Sequence, residues 1–250
     1  MTRIDINSDL GEAYGPWPMG DDAAMLDIVT SANVACGGHA SDPETMYRTL
    51  MLCREKGVVA GAHPGYADRE GFGRRVIPMT AAEITRMVAA QIGALAGVAT
   101  LTGTALTYVK PHGALNTFAC ANRWAADAIA EAVDASGLAM LAISGTELEK
   151  ASRAAGIETI SEIFADRGYL PSGLLVPRGA PGAMIHDPKQ AADRILHLLK
   201  TGRMQTVTGE EIPLEAQSVC VHGDEASAVA LAAELRARLE AEGVTIAAFC

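Results

Sequence analysis

The ionisable side chains of this sequence gather at the ends of short apolar runs. Asn7, Asp9 and Glu12 end or follow the run at residues 3–7, Cys36 and His39 the run at 32–36, and His63 the run at 58–62. Lys110 and His112 follow 106–109, and Ser144 and Thr146 follow 139–143. Glu162, Asp166 and Arg167 close 158–162, while His222 and Asp224 follow 218–221. Carboxylates and imidazoles move protons near neutral pH, and a lysine stabilises negative charge developing at a carbonyl, so the set suits hydrolytic chemistry. Lys110 is the hardest to explain otherwise. An ammonium ending an apolar strand must be paired or face a ligand, because burying it alone is costly. Asp9 and Glu12 would serve equally well as caps of a following helix. His63, between Ala62 and Pro64, would serve as a core imidazole bonded to backbone, and His186 and His197 fall off the pattern as structural or surface residues.

The runs that carry these residues are too short for helices, and several are bounded by Gly or Pro, so they read as seven strands. Helices lie between them. Ser41-Asp42-Pro43-Glu44 offers an N-cap with a nearby proline, and Thr80 with Glu83 fits a capping box. Apolar stripes follow at Ile84, Met87, Val88, Ile92 and Leu95, at Ala125, Ile129 and Val133, at Ala192, Ile195, Leu196 and Leu199, and at Ala228, Leu231, Leu235 and Leu239. Strand–helix alternation without repeats or linkers predicts an α/β fold of parallel strands with right-handed crossovers, one domain over residues 1–250. Seven strands with chemistry at each end favour a β/α barrel over a doubly wound sheet. Residues 166–188, rich in proline and glycine, make it irregular. Such a fold gathers the carboxyl ends of its strands at one mouth, where His39, His63, His112 and His222 are expected together.

Composition narrows the partners. Among 250 residues, 49% are hydrophobic and only 4% aromatic, so packing rests on Ala, Val, Leu, Ile and Met. A net charge of −10 argues against nucleic acid or an anionic membrane as main partner, but leaves room for a small anionic substrate. The start shows no signal-peptide pattern, and no apolar run approaches the roughly 20 residues of a membrane span, so the cytoplasm is the expected location. The five cysteines, Cys36, Cys53, Cys120, Cys220 and Cys250, form no CxxC pair and read as buried free thiols, with Cys36 left open. Neither a phosphate-binding GxxxxGK[ST] loop nor a strand–GxGxxG–helix unit occurs, so any nucleotide is held in another way. Glycine clusters at 37–38, 61–65, 71–73 and 113 would let backbone N–H groups approach an anion. Arg69, Arg74, Arg75, Lys110, Arg167 and Arg178 could contact phosphate or carboxylate. His39, His63, His112 and His222 with Asp9 could make a mixed N/O metal site, which spacing between different strands neither supports nor excludes.

Read as whole motifs, Asp5-Ile6-Asn7-Ser8-Asp9-Leu10-Gly11-Glu12, Ser31-Ala32-Asn33-Val34-Ala35-Cys36-Gly37-Gly38-His39-Ala40, Gly61-Ala62-His63-Pro64-Gly65, Gly71-Phe72-Gly73-Arg74-Arg75, Val109-Lys110-Pro111-His112-Gly113, Phe164-Ala165-Asp166-Arg167 and Val221-His222-Gly223-Asp224 resemble the LamB/YcsF family, in order and over nearly the full chain. The resemblance implies an irregular seven-stranded β/α barrel of the glycoside hydrolase/deacetylase kind. It further implies the A component of a bacterial 5-oxoprolinase, working with separate B and C subunits to cleave 5-oxoproline to L-glutamate, with ATP, as its magnesium complex, as co-substrate. Three positions depart from the family pattern: Gly38 stands where Phe is common, Ser41 where Gly is common, and Asn116-Thr117 where Tyr-Asn is frequent.

A lactam carbonyl is a weak electrophile, and phosphorylating its oxygen would activate it for water. On that scheme Asp9 or His112 is the base, Lys110 stabilises developing charge, and Arg74, Arg75 or Arg167 clamps a carboxylate or phosphate. His39, His63, His222 and Glu162 orient water or the leaving nitrogen, and Asn7, Glu12, Asp166, Arg178 and Asp224 complete the binding set. Two other readings use the same residues: a stand-alone metal-dependent amide hydrolase or deacetylase, and a non-catalytic subunit that only binds substrate. Whether a metal is bound is left open.

Overall fold

The computed structural model describes residues 3–222 and 228–249. Its strands are β1 (Arg3–Leu10), β2 (Ser31–Ala35), β3 (Val59–His63), β4 (Leu106–Val109), β5 (Ala139–Ile143), β6 (Thr159–Phe164), β7 (Arg203–Gln205), β8 (Glu211–Pro213), β9 (Ser218–Cys220) and β10 (Thr245–Ile246). The helices are α1 (Asp22–Met25), α2 (Pro43–Lys56), α3 (Ala81–Thr102), α4 (Gly113–Ala121), α5 (Arg123–Ser136), α6 (Glu147–Ala154), α7 (Pro188–Thr201) and α8 (Ala228–Ala241). Seven parallel strands close into a barrel in the order β1-β2-β3-β4-β5-β6-β9, sealed where Asp5, Ile6 and Asn7 pair with Ser218, Val219 and Cys220. The expected seven-stranded barrel is thus present, and the seven strands inferred from sequence are its staves. Sequence missed β10, which pairs with the start of β1, and the β7–β8 hairpin between α7 and β9.

The helix signals act as physical chemistry requires. The Asp42 carboxylate accepts from the N–H groups of Glu44 and Thr45, and Thr80 and Glu83 form a reciprocal capping box. Gly57, Gly103, Gly137 and Gly202 end α2, α3, α5 and α7 in the left-handed conformation that glycine adopts without cost. One expectation is corrected: α3, at 22 residues, is long and apolar enough to cross a membrane. Here its buried stripe of Ile84, Val88, Ile92, Leu95 and Ala99 packs against the barrel, between α2 and α5.

The barrel has two contrasting faces. Ile4, Ile6, Ala32, Val34, Ala60, Ala62, Val109, Ile163 and Val219 are buried beneath the helices, mostly small aliphatics as the scarcity of aromatics demands. Alternate positions turn inward and are polar: Asp5, Asn7 and Asp9 on β1, Ser31 and Asn33 on β2, Glu162 on β6 and Ser218 on β9 are all buried. At the opposite end from the strands' carboxyl termini, Tyr108, Ala139, Leu141 and Ile160 plug the interior with Val59 and Phe249. The Tyr108 and Phe249 rings meet edge to face at 5.1 Å.

Candidate active site

Lys110, just past β4, reaches across the interior. Its Nζ lies 2.7 Å from Glu162 Oε1, 3.2 Å from Asp9 Oδ1, 3.1 Å from Asn7 Oδ1 and 3.0 Å from Cys220 Sγ. Strands β1, β6 and β9 therefore converge on one ammonium. Asn33 Nδ2 donates to both Asn7 Oδ1 and Asp9 Oδ1 at 2.8 Å, and the Tyr108 hydroxyl donates to Asn33 Oδ1 at 2.7 Å. Below them Asp5 accepts from Thr30, Ser31 and Ser218. Burial opposes charge here, yet His63 and Lys110 hold the Asp9 carboxyl well below the usual carboxylate range. Against the same burial, Asp9 and Glu162 hold Lys110 protonated. Burial wins at Asp5 and Glu162, whose carboxyls are raised. The ammonium that sequence placed at a developing charge has its three hydrogens taken by this network.

Above it lies a cluster of imidazoles. His39 and His112 stack at 3.6 Å with their planes 3° apart, and His63 meets both edge on. His39 Nε2 is 2.9 Å from Glu12 Oε1, and His112 Nδ1 is 3.0 Å from His63 Nε2. His63 Nδ1 lies 2.6 Å from the Lys110 carbonyl and His112 Nε2 lies 2.9 Å from the Phe72 carbonyl. Burial, reinforced by neighbouring imidazoles, keeps His39 and His112 well below the ordinary histidine pKa. The glycine clusters serve this packing. A Cβ on Gly65 would lie 2.8 Å from His39 Nδ1, and one on Gly73 would lie 2.7 Å from His39 Cβ and 2.9 Å from His112 Cδ2. Gly38 leaves space for the Gln91 side chain, whose amide brackets the Gly65 backbone.

The opposite wall is the irregular segment after β6. His222 Nδ1 lies 2.6 Å from Asp166 Oδ2, so the acid fixes the imidazole and directs Nε2 away from itself. Burial raises the Asp166 carboxyl, but His222 outweighs it and the net shift is downward. Arg167 is buried, donating to the carbonyls of Ala183 at 3.1 Å and Val176 at 2.7 Å. Burial and neighbouring Arg178 lower its pKa to about 10, which leaves it charged at neutral pH. Arg74 stands over the Phe72 ring at 4.9 Å.

Between the walls is a cavity of about 500 Å³. Asp9, Glu12, His63, Lys110, His112 and His222 all line it, as do Arg74, Arg167 and Arg178. The rest of the set stands elsewhere. Asn7 and Glu162 lie beneath Lys110, Asp166 behind His222 and His39 behind His112, none on the cavity surface. Arg75 turns away to pair with Asp68, its Nε 3.0 Å from Oδ2. Asp224 lies outside the described residues. Sequence reasoning passed over Asn33, Tyr108 and Cys220. For Asn33 the signal was the alternation of Ser31 and Asn33 with Ala32 and Val34 along β2, which in a strand buried on both faces means a polar interior; Tyr108 and Cys220 had none in their own short strands. Ser144 bonds the Glu215 N–H at 3.0 Å, whereas Thr146, Asn116 and Thr117 line the cavity. Ser41 adopts φ +75, the left-handed region where the family's glycine is at ease.

Comparison with known proteins agrees with this fold. A relative from Rhodopseudomonas palustris (strain BisA53), named as the A component of 5-oxoprolinase, is 48% identical over 100% of this chain and 99% of its own. One of the same name from Paracidovorax citrulli is 50% identical over 99% of both chains. The crystal structure of a lactam utilization protein from Thermus thermophilus superposes with TM-score 0.93 at 40% identity, covering 99% of this chain and 100% of that one. The polysaccharide deacetylase Bc1974 from Bacillus cereus shares the fold alone, with TM-score 0.52 at 12% identity over 100% of this chain and 93% of that one. The family match spans residues 4–250, and the chain belongs to the LamB/YcsF family.

Proposed function

We propose that this chain is the A component of an ATP-dependent 5-oxoprolinase, opening the lactam of 5-oxo-L-proline to L-glutamate in a cytoplasmic assembly with B and C subunits. One observation carries the reading. Asp9, Glu12, His63, His112 and His222 surround a single cavity with arginines at its edge and the aliphatic side chains of Leu170, Leu174, Leu175 and Val176 on one wall. Apolar walls with a few convergent polar groups are the usual make-up of a small-molecule site. Near-full-length relatives named for the A component of 5-oxoprolinase supply the reaction.

In this site the ring methylenes lie on the aliphatic wall, and Arg167 or Arg178 receives the substrate carboxylate. ATP, as its magnesium complex, activates the lactam oxygen, and Arg74 with the other arginines offsets the phosphate charge. Ionised Asp9 accepts a proton from water as its oxygen bonds to the carbonyl carbon. ADP having left on phosphoryl transfer, the C–N bond then breaks, and His222, held through Asp166, gives a proton to the departing nitrogen. A second water releases phosphate from the remaining acyl phosphate to give glutamate. Lys110 keeps Asp9 ionised, and His39 supports Glu12 and His112 from behind.

The test is an assay of glutamate formation from 5-oxoproline and ATP with purified B and C subunits, with and without this chain. Turnover that requires the chain is the expected result, and equal turnover without it removes the reading. A second reading, an amide hydrolase acting alone, draws on the carboxylate–imidazole cluster. Lactam opening by the isolated chain without ATP would decide for it.

A further inference from the structure

We propose that Glu12, His63 and His112 bind one divalent transition-metal ion, of the zinc or cobalt kind, with a remaining coordination position open to the cavity. A carbonyl oxygen only accepts, so His63 Nδ1 and His112 Nε2, each on a backbone carbonyl, must carry the ring hydrogens. In the neutral rings the lone pairs then sit on His63 Nε2 and His112 Nδ1. These two nitrogens are 3.0 Å apart. Glu12 Oε1 lies 3.4 Å from His112 Nδ1, and Asp9 Oδ2 lies 3.4 Å from His63 Nε2. The two imidazole lone pairs face each other with no hydrogen between them and a carboxylate oxygen beside each, an arrangement that needs a positive centre.

The spacing fits a metal. A tetrahedral site with bonds of about 2.0–2.1 Å has ligand atoms about 3.3–3.4 Å apart. The separations here are 3.0 Å and 3.4 Å, and the ligand atoms of Glu12, His39, His63 and His112 all lie within 4.8 Å of one another. The outer shell is also in place, since each ligating imidazole donates its other N–H to a carbonyl and His39 holds the Glu12 carboxylate. Charge favours a cation: Asp9 and Glu162 share one buried ammonium, Lys110. Two imidazoles select zinc, cobalt or nickel over the oxygen-seeking magnesium and calcium. Bound there, such an ion would polarise a carbonyl or acidify water facing the cavity. The rival positive centre is a proton shared between His63 and His112, which takes up no metal.

The experiment uses the whole chain, stripped with chelator and then titrated with Co²⁺ or Zn²⁺. About one ion per chain should remain after gel filtration, with Co²⁺ giving the visible absorption of a low-coordinate nitrogen–oxygen site. Glu12→Gln and His63→Ala should each weaken binding by about 100-fold or more, and His39→Ala, outside the ligand set, by about 10-fold. His197→Ala, at the surface, should leave it unchanged. No uptake by the folded wild-type chain leaves the shared proton and overturns the proposal. Uptake that survives Glu12→Gln and His63→Ala, or is lost with His197→Ala, overturns the assigned ligands. Folding of each variant is checked by thermal unfolding. Because the readout is metal content and spectrum, a failed lactam reading and a failed metal site give different results.

Discussion

Two buried polar regions sit one above the other in this barrel, and they are built to opposite rules. Around Lys110 and Asn33 donors meet acceptors, the ammonium bonding Asn7, Asp9 and Cys220 and Asn33 joining Asn7, Asp9 and Tyr108. Glu162 is the exception, ion-paired to Lys110 through Oε1 with Oε2 buried and without a hydrogen-bond partner among the described residues. Around His63 and His112 acceptors face acceptors, and His39 Nδ1 is buried without a hydrogen-bond partner among the described residues. A satisfied network fixes shape, because each member loses partners if any moves. An unsatisfied one is held by its surroundings and stays ready for something that arrives. The lower region is scaffold and the upper region is site, though both are made of ionisable side chains.

The sharpest way to break that contrast is Lys110→Met. Removing the ammonium leaves Asp9 and Glu162 buried without compensation, and destabilisation of about 3–5 kcal/mol is expected in urea unfolding. A loss below about 1 kcal/mol would show that the network is not scaffold. Next is Asp166→Asn, which keeps the shape at His222 but no longer fixes the ring's proton. Turnover of the assembled enzyme should fall by about 10²–10⁴-fold with little change in KM. The same variant tests pH dependence. The Asp166 carboxyl is held below its usual 3.8, so its contribution to stability is complete above about pH 4 and disappears as pH falls through the lower folded value. Acid unfolding should be less steep in Asp166→Asn than in wild type.

Gly73→Ala probes the upper region from behind. Its Cβ would press on His39 and His112 at a backbone φ of +64, so a loss of about 1–3 kcal/mol is expected by thermal unfolding, with weaker turnover. Unchanged stability and turnover would mean the imidazoles are free to shift. The smallest effect is expected at Ser41→Gly, whose hydroxyl contacts only the Asp42 carbonyl among the described residues. Relief of its left-handed backbone should raise stability by about 1 kcal/mol and leave turnover unaltered.

Much of this was legible in the residues, for reasons that can be named. The staves announced themselves through short apolar runs, and the mouth through ionisable groups at their ends, because parallel strands share one direction. Depth was not legible. His39 and His112 occupy the same place after their strands, yet one stacks behind the other, since stacked rings leave only the outer one facing the cavity. Arg74 and Arg75 are neighbours in one loop, and Asp68, which no local pattern ties to them, decides that the second turns away. The interior network depends on contacts such as Asn7 with Lys110 and Ser218, far apart in the chain and invisible to any local window.

Sealing the barrel between Asp5 and Ser218 also sets an order of events during synthesis. The first strand emerges from the ribosome with one neighbour soon available and the other more than about 10 s away at roughly 5–20 residues per second. Until β9 is made, Asp5 and Asn7 of β1 lack the Ser218 hydroxyl, and the tube stays an open, curled ribbon. Chaperones that shield unpaired strand edges should therefore engage this nascent chain late, and release it only when the seam closes.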